Sequence, residues 1–312
     1  MSETSPDQVT AFAPASVGNV GVGFDLLGHA IDGPGDRVSA RRSDEPGVVI
    51  ESIEGVITDL PTAPDRNTAG RAVIALLGYL KVDFGIALRI EKGIPLGSGL
   101  GGSAASATAA LVATNALLDQ PLEVEALYPF ALAGESVASG SMHGDNVGPQ
   151  LLGGLVLATL ERLVRIPVPD GLWSAVVHPD HIVETRRARE TLAKPFEIAT
   201  IVKQNALLAQ FLLGCQTGDL DLIRAGLADV LVEPRRAPLV PGFEQVKQAA
   251  LDHGALGASI SGAGPSVFGW FNDQTQATAA RQAMIEAFAQ ADLLAEGWVS
   301  PVNSAGARLT KH

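Results

Sequence analysis

Between Ile94 and Ser106 the chain reads Ile-Pro-Leu-Gly-Ser-Gly-Leu-Gly-Gly-Ser-Ala-Ala-Ser, with four glycines in the six positions from Gly97 to Gly102. A backbone this permissive can turn successive N–H groups inward around an anion. A helix starting behind it adds unpaired donors and the positive end of a dipole, so phosphate is the natural ligand. Ser103 stands where that helix begins, placed either to cap it or to bind a metal. Gly97-x-Gly99-x-x-Gly102 also satisfies the dinucleotide fingerprint, but the context does not. A second helical stretch, Glu123 to Ala138, follows where a strand ending in an acid belongs, and the Walker lysine is absent because Ser103 directly follows Gly102. The chemistry predicted is phosphate binding by another architecture.

Three more glycine-bearing loops carry polar residues. Pro14 to Asp25 holds three glycines with Asn19 and Asp25, Gly140 to Pro149 holds His143 and Asp145, and Ser261 to Ser266 holds Gly262 and Gly264. Each alone reads as a turn whose Asx side chains bond their own backbone. Together with the first loop, a shared ligand is the better reading, because long glycine-rich loops in compact domains tend to be functional. His178 and His181 lie three apart around Pro179 with no third ligand in view, so they read as packing or solvated residues. Cys215 lies in an apolar run and reads as a buried, inert thiol.

Regular elements must hold these loops. Strands are predicted at Val9–Ala13, Arg37–Arg41, Val48–Ile53 and Phe84–Ile90, with helices at Thr68–Tyr79 and Ala104–Leu118 and strand-like residues at Leu151–Leu160. The chain changes texture near Pro167–Gly171. Beyond it come a strand (Trp173–His178) and three helices (Phe196–Leu213, Leu220–Leu231, Phe243–His253). Strands at Ala258–Ile260 and Val267–Phe271, a helix (Gln274–Gln290) and a last strand (Trp298–Val302) follow. This pattern predicts an α+β protein with a tail over residues 1–8, an N-terminal domain over 9–165 and a C-terminal domain over 166–312.

At 312 residues the chain has ample material for a core. Its net charge of −12 argues against a nucleic-acid or anionic-membrane partner. One cysteine excludes an internal disulfide framework and fits a reducing compartment. The polar, acidic N-terminus is unlike a signal peptide, and the helix after the glycine loop, taken as the longest apolar one, is too short for a span; the expectation is a soluble, cytoplasmic protein.

Three of the loops, in their order, resemble the three motifs of the superfamily of galactose, homoserine, mevalonate and phosphomevalonate kinases (GHMP kinases). They are Pro14–Asp25, Pro95–Ala105 and Ile260–Ser266, so the resemblance covers nearly the whole chain. Gly140–Val147, Thr185–Arg189 and Glu233–Gly242 make the similarity closest to the homoserine kinase branch. Departures are Gly102 where that family usually has a first serine, Gly144 where an aromatic residue is common, and Ala263 for a frequent serine.

The resemblance implies an N-terminal half like a ribosomal-protein domain, a ferredoxin-like C-terminal half, and ATP between them. It implies transfer of the γ-phosphoryl group of Mg-ATP to the side-chain hydroxyl of L-homoserine, a step toward threonine. Pro95, Leu96, Gly97, Ser98, Gly99, Leu100, Gly101, Gly102, Ser103 and Ala104 would bind the nucleotide, with Gly262 and Gly264. Asn67 would reach the adenine, and Lys92 would neutralise phosphate charge or be a plain surface lysine. Ser103 and Glu135 would contact Mg²⁺. Arg189 and Arg236 would hold the substrate carboxylate, Arg186, Arg187 and Arg235 being surface charges. Asn19, Asp25 and Asp145 would hold the amino and hydroxyl ends, with His143 and Thr185 in the pocket. Asp25 or Asp145 could act as base, or no protein base is needed, because a loose transition state lets the phosphate accept the proton late. A homodimer is plausible for such an enzyme. The rival readings are a kinase of the same fold with a mevalonate, shikimate or sugar acceptor, and a non-catalytic nucleotide-binding regulator.

Overall fold

The protein is described by a computed structural model that covers residues 8–139 and 142–310. The expected tail therefore lies outside the described residues, apart from Gln8, which is not tail but pairs with Arg41 in a strand. Gly140 and Ser141 also lie outside them.

The first sheet has seven strands. Its central path runs β11 (Arg308–Leu309), β1 (Gln8–Gly18), β2 (Leu27–Ser43), β4 (Gly85–Lys92), β3 (Gly47–Gly55), and β5 (Leu155–Ala158) continues from β2 to β6 (Leu163–Ile166). Among the described residues β3 and β4 are its one parallel pair. Helices α1 (Thr68–Leu80), α2 (Gly102–Asn115) and α3 (Tyr128–Ser139) pack together, and α2 also packs on β1 and β2. Its small-apolar sequence suits that place, since every residue from Ala104 to Leu111 is buried. Helix α4 (Val147–Leu152) precedes β5, where the sequence suggested a loop as far as Pro149 and strand-like residues from Leu151.

The second sheet runs β10 (Ala295–Pro301), β7 (Trp173–Pro179), β9 (Val267–Phe271), β8 (Gly257–Ile260). Read in chain order this is fourth, first, third, second, the arrangement of a ferredoxin-like unit, here wholly antiparallel. Between β7 and β8 come α5 (Thr185–Glu190), α6 (Ile198–Thr217), α7 (Leu220–Gly226), α8 (Glu233–Arg236) and α9 (Phe243–Asp252), and α10 (Gln274–Ala289) links β9 to β10. The period-two alternation of β9 divides the core. Val267 and Phe271 pack with Phe243, Met284 and Phe288 from α9 and α10, while Phe268 and Trp270 join the core of the first sheet. There Trp270 Nε1 donates to His29 Nε2 at 3.1 Å, and burial pulls the imidazole pKa down to about 4.

Three local expectations need correction. Strand β1 runs on through Pro14 to Gly18, half of the predicted first loop, because a register shift between Pro14 and Ser16 lets the strand bend and stay paired. Strand β2 begins ten residues earlier than predicted and carries Gly33-Pro34-Gly35 inside it. The longest apolar helix is α6, not α2. At 20 residues and mean hydropathy 1.3 it is long and apolar enough to cross a membrane, yet Phe211, Gly214 and Cys215 pack it onto the core.

Candidate active site

A cleft of about 770 Å³ is lined from both sheets' loops. One end is the glycine loop between β4 and α2. Gly97, Gly99 and Gly101 all have left-handed backbones, which turns the chain tightly enough to present N–H groups to the cleft. At Gly99 no side chain fits, because a Cβ would sit 2.4 Å from the carbonyl oxygen of Ser261. The third loop clasps the glycine loop there. Ser261 Oγ donates to Gly99 O at 2.7 Å, and Ser266 Oγ donates to Ser98 O at 2.7 Å. From the other side Gln150 Nε2 donates to Gly101 O at 2.9 Å. Leu100 and Ala104 are fully buried, and they and Gly264 stand behind the cleft wall rather than in it.

Ser103 is not the helix cap. Gly101 holds that position, and Ser103 Oγ instead donates across to Glu135 Oε2 at 2.8 Å. Burial raises the Glu135 pKa to about 7, with the Asp145 charge adding and the Ser103 bond and Lys92 opposing.

Lys92 is not a surface residue; it stands in the cleft lining with its ammonium engaged by the protein. It is 4% exposed, and its three ammonium hydrogens are matched by Asp36 Oδ2, Gly102 O at 2.7 Å and Ser106 Oγ at 2.9 Å. Asp36, wholly buried, also accepts from the N–H groups of Gly93 and Ile94 and from Ser106 Oγ. The pair pins the start of the glycine loop to the start of α2. The sequence offered no sign of Asp36, which lies 56 residues before its partner. Asn67 also lines the cleft. Its Oδ1 caps α1 by accepting from Ala69 and Gly70 N–H, and its Nδ2 donates one hydrogen to Pro61 O.

At the other end six predicted residues converge. Arg189 on α5 forms a two-pronged pair with Asp25, both contacts at 3.2 Å. Arg189 Nη2 also approaches His143 Nε2 at 2.9 Å, and His143 Nδ1 lies 3.3 Å from Asp25 Oδ2. Since arginine only donates, Nε2 is the acceptor and the Nδ1 proton faces Asp25. Burial, reinforced by both arginines and opposed by Asp25, lowers the His143 pKa. Asp25 is set by Asn19, whose Oδ1 accepts from Asp25 N–H at 3.1 Å. Asp145 is buried, and burial together with the Asp25 charge raises its pKa to about 7 against backbone bonds that favour the ion.

Arg236, 3% exposed, donates Nη1 to Gly262 O at 2.7 Å and stacks near Phe24, while its buried Nε has no partner among the described residues. The neighbouring Arg235 is excluded from the cleft, since it stacks on Phe196 and donates to Pro195 O at 2.7 Å. Arg187 stays outside, and Arg186 is the expected surface charge, exposed and paired with Glu190 at the cleft mouth beside Thr185 and Glu184. Sequence reading missed Arg66, Thr68, Ser106 and Asn146 in the lining. Ser106 lies about one helical turn beyond Ser103 in the same serine-bearing helix start. His178 proves a packing residue, bonded to Ser266 Oγ at 3.1 Å, and no cluster of three metal-ligating groups exists among the described residues. Burial pushes the Cys215 thiol up to about 12, so it is inert.

Comparison with known proteins agrees with this arrangement. Residues 67–154 match the GHMP kinases N terminal domain and residues 208–290 the GHMP kinases C terminal domain, together over half the chain. A homoserine kinase of Xanthomonas campestris is 59% identical over 97% of this chain and 94% of its own. That of Chlorobaculum tepidum is 44% identical over 96% and 98%. The crystal structure of a homoserine kinase from Cytophaga hutchinsonii superposes with a TM-score of 0.95 at 42% identity, covering 99% of each chain. A Leishmania major mevalonate kinase solved with R-mevalonate, 18% identical at a TM-score of 0.70 over 98% of this chain and all of that one, shares the fold alone. With both domains matched and near full-length identity to several relatives, the chain belongs to the GHMP kinase family, within its homoserine kinases.

Proposed function

We propose that the chain transfers the γ-phosphoryl group of ATP to the side-chain hydroxyl of L-homoserine, with the glycine loop on the phosphates and the Asp25–Arg236 end on the amino acid. One observation carries the choice of acceptor: beside the phosphate loop lies a cluster of two guanidinium groups and two carboxylates. That is the complement of a zwitterion carrying a neutral hydroxyl arm. Arg236 suits the substrate carboxylate, since a planar fork pairs with it bidentately and this one has a buried N–H in want of an acceptor. Arg189 shares that role by exchanging Asp25 for the ligand. Asp25 and Asn19 then take the ammonium group.

Glu135 and Ser103 fit a divalent cation. A buried carboxylate that holds a proton near neutral pH, facing a hydroxyl oxygen, is a site where a cation can replace that proton. Ser103 and Glu135 would hold Mg²⁺, which would supply neutralisation of phosphate charge. The chain's own work is positioning. The glycine loop fixes the phosphates with backbone N–H groups, and Asp145 orients the acceptor hydroxyl in line. Asp25, on the ammonium group, positions rather than removes a proton, and a loose transition state lets the hydroxyl proton pass late to a phosphoryl oxygen. Nothing in this scheme calls for a membrane or nucleic acid, and it fits a cytoplasmic enzyme.

The test is ADP release from Mg-ATP by purified protein offered L-homoserine, mevalonate, shikimate or galactose in parallel. Turnover with homoserine alone is expected. Turnover with another acceptor would discard the amino-acid end of the scheme, and ATP binding without any turnover would favour a regulator.

A further inference from the structure

Helix α6 is mostly exposed, yet Gln204 in its first half is 5% exposed and uses its whole amide. Nε2 donates to Val22 O at 3.2 Å and to Asp229 Oδ1 at 2.8 Å, and Oε1 accepts from Val230 N–H at 3.1 Å. Val22 lies between Asn19 and Asp25, in the loop assigned to the substrate's ammonium end. Asp229, also buried, accepts from the N–H groups of Leu231, Val232 and Glu233, at 2.9, 3.1 and 2.7 Å, and so fixes the entry to α8, which carries Arg236. On the cleft side the same two segments meet at one atom. Asn19 Nδ2 and Arg236 Nη1 both donate to Gly262 O, at 2.9 and 2.7 Å. The contacts therefore close a ring: Asn19, Gly262, Arg236, the start of α8, Asp229, Gln204, Val22 and back to Asn19. Gln204 touches both segments from behind, outside the cleft lining.

We propose that Gln204, backed by Asp229, is a positioning residue that sets the spacing between the Asn19–Asp25 loop and Arg236 and thereby tunes recognition of the amino-acid substrate. The inference rests on the substrate reading above. A zwitterion with fixed separation between its charges needs fixed separation between its binding groups, and a displacement of about 1 Å can cost as much as 10²-fold. The nucleotide end has its own ties through Gln150, Ser261, Ser266 and the Lys92–Asp36 pair, none of which passes through Gln204.

The experiment uses the full chain with Gln204→Met, which keeps the side-chain volume and removes all three bonds. The KM for L-homoserine should rise about tenfold while the KM for ATP stays within about twofold. A lowered melting temperature with an unchanged homoserine KM would show a purely structural residue and overturn the proposal. Should the variant fail to fold, wild-type hydrogen exchange decides. L-homoserine should slow exchange of the Leu231–Glu233 amides several-fold, and a non-hydrolysable ATP analogue alone should not. Unchanged exchange would also overturn it. Wild-type protein that neither binds nor turns over homoserine would instead sink the substrate reading itself.

Discussion

The two ends of the cleft are built on opposite principles. The phosphate end is backbone, one continuous loop whose glycines, carbonyls and buried Lys92–Asp36 pair are locked before any ligand arrives. The amino-acid end is side chain, assembled from four separate stretches of sequence, and its charges pair with each other, as Arg189 does with Asp25. The first end can be rigid because all nucleotide triphosphates present the same oxygens. The second must exchange an internal ion pair for a substrate, so its affinity is a difference between two similar arrangements, and that difference carries specificity.

The largest expected effect lies where the ends meet. Glu135→Ala should lower kcat by about 10³-fold or more, because a charge clamp on the transferring group is lost. Steady-state ADP release measures it, and a fall under tenfold would remove Glu135 from the metal site. Lys92→Met separates pinning from binding. Leaving Asp36 buried without its partner should cost about 3 kcal/mol or more of stability by denaturant titration. Folded protein should still bind ATP within severalfold of wild type, and a selective loss of ATP affinity at full stability would return Lys92 to the phosphates.

Arg236→Ala should raise the homoserine KM by about 10²-fold and leave the ATP KM nearly untouched. Arg236→Lys should rescue little of this, since an ammonium lacks the fork. An equal rise in both KM values would mean that the two ends are one mechanical unit.

The same contrast governs what the sequence could reveal. The phosphate end was legible because a local run dictates a local structure: glycine spacing, a strand before and a small-apolar helix behind. Ferredoxin-like strands such as Val267–Phe271 were legible from their alternation and bounding turns. What stayed hidden depends on partners far away in sequence. Lys92 read as a surface or phosphate lysine because Asp36 sits inside a strand interrupted by Gly-Pro-Gly, where no local pattern marks it. Resemblance gives Asn67 to adenine, while its position just before a helical run is itself a capping signal. Helices α5 and α8, six and four residues long, are too short to show a period, although they carry Arg189 and Arg236.

The smallest effect, and the finest probe of the comparison, is pH. Each end holds one buried carboxylate with its pKa raised to about 7, Glu135 from 4.5 and Asp145 from 3.8. In both cases the folded state binds the proton more tightly than the unfolded chain. That stabilisation is complete below about pH 4 and is lost as pH rises through about 7. Between pH 5 and pH 8 these two groups pull the melting temperature of the ligand-free protein down, while His29 and His178, whose burial lowers their pKa to about 4, pull it up. Glu135→Gln and Asp145→Asn should each remove part of the downward pull, read as the difference from wild type in melting temperature against pH. Ligands should act in the opposite direction at one end only. A cation on Glu135 needs the ionised carboxylate, so affinity for Mg-ATP should climb as pH rises through about 7, and Glu135→Gln should abolish that climb. Asp145→Asn should leave it in place, because a group that orients a neutral hydroxyl has no part in holding the phosphates. If Asp145→Asn also flattened the Mg-ATP curve, the two carboxylates would titrate as one site and the division of the cleft into a fixed end and an exchangeable end would fail.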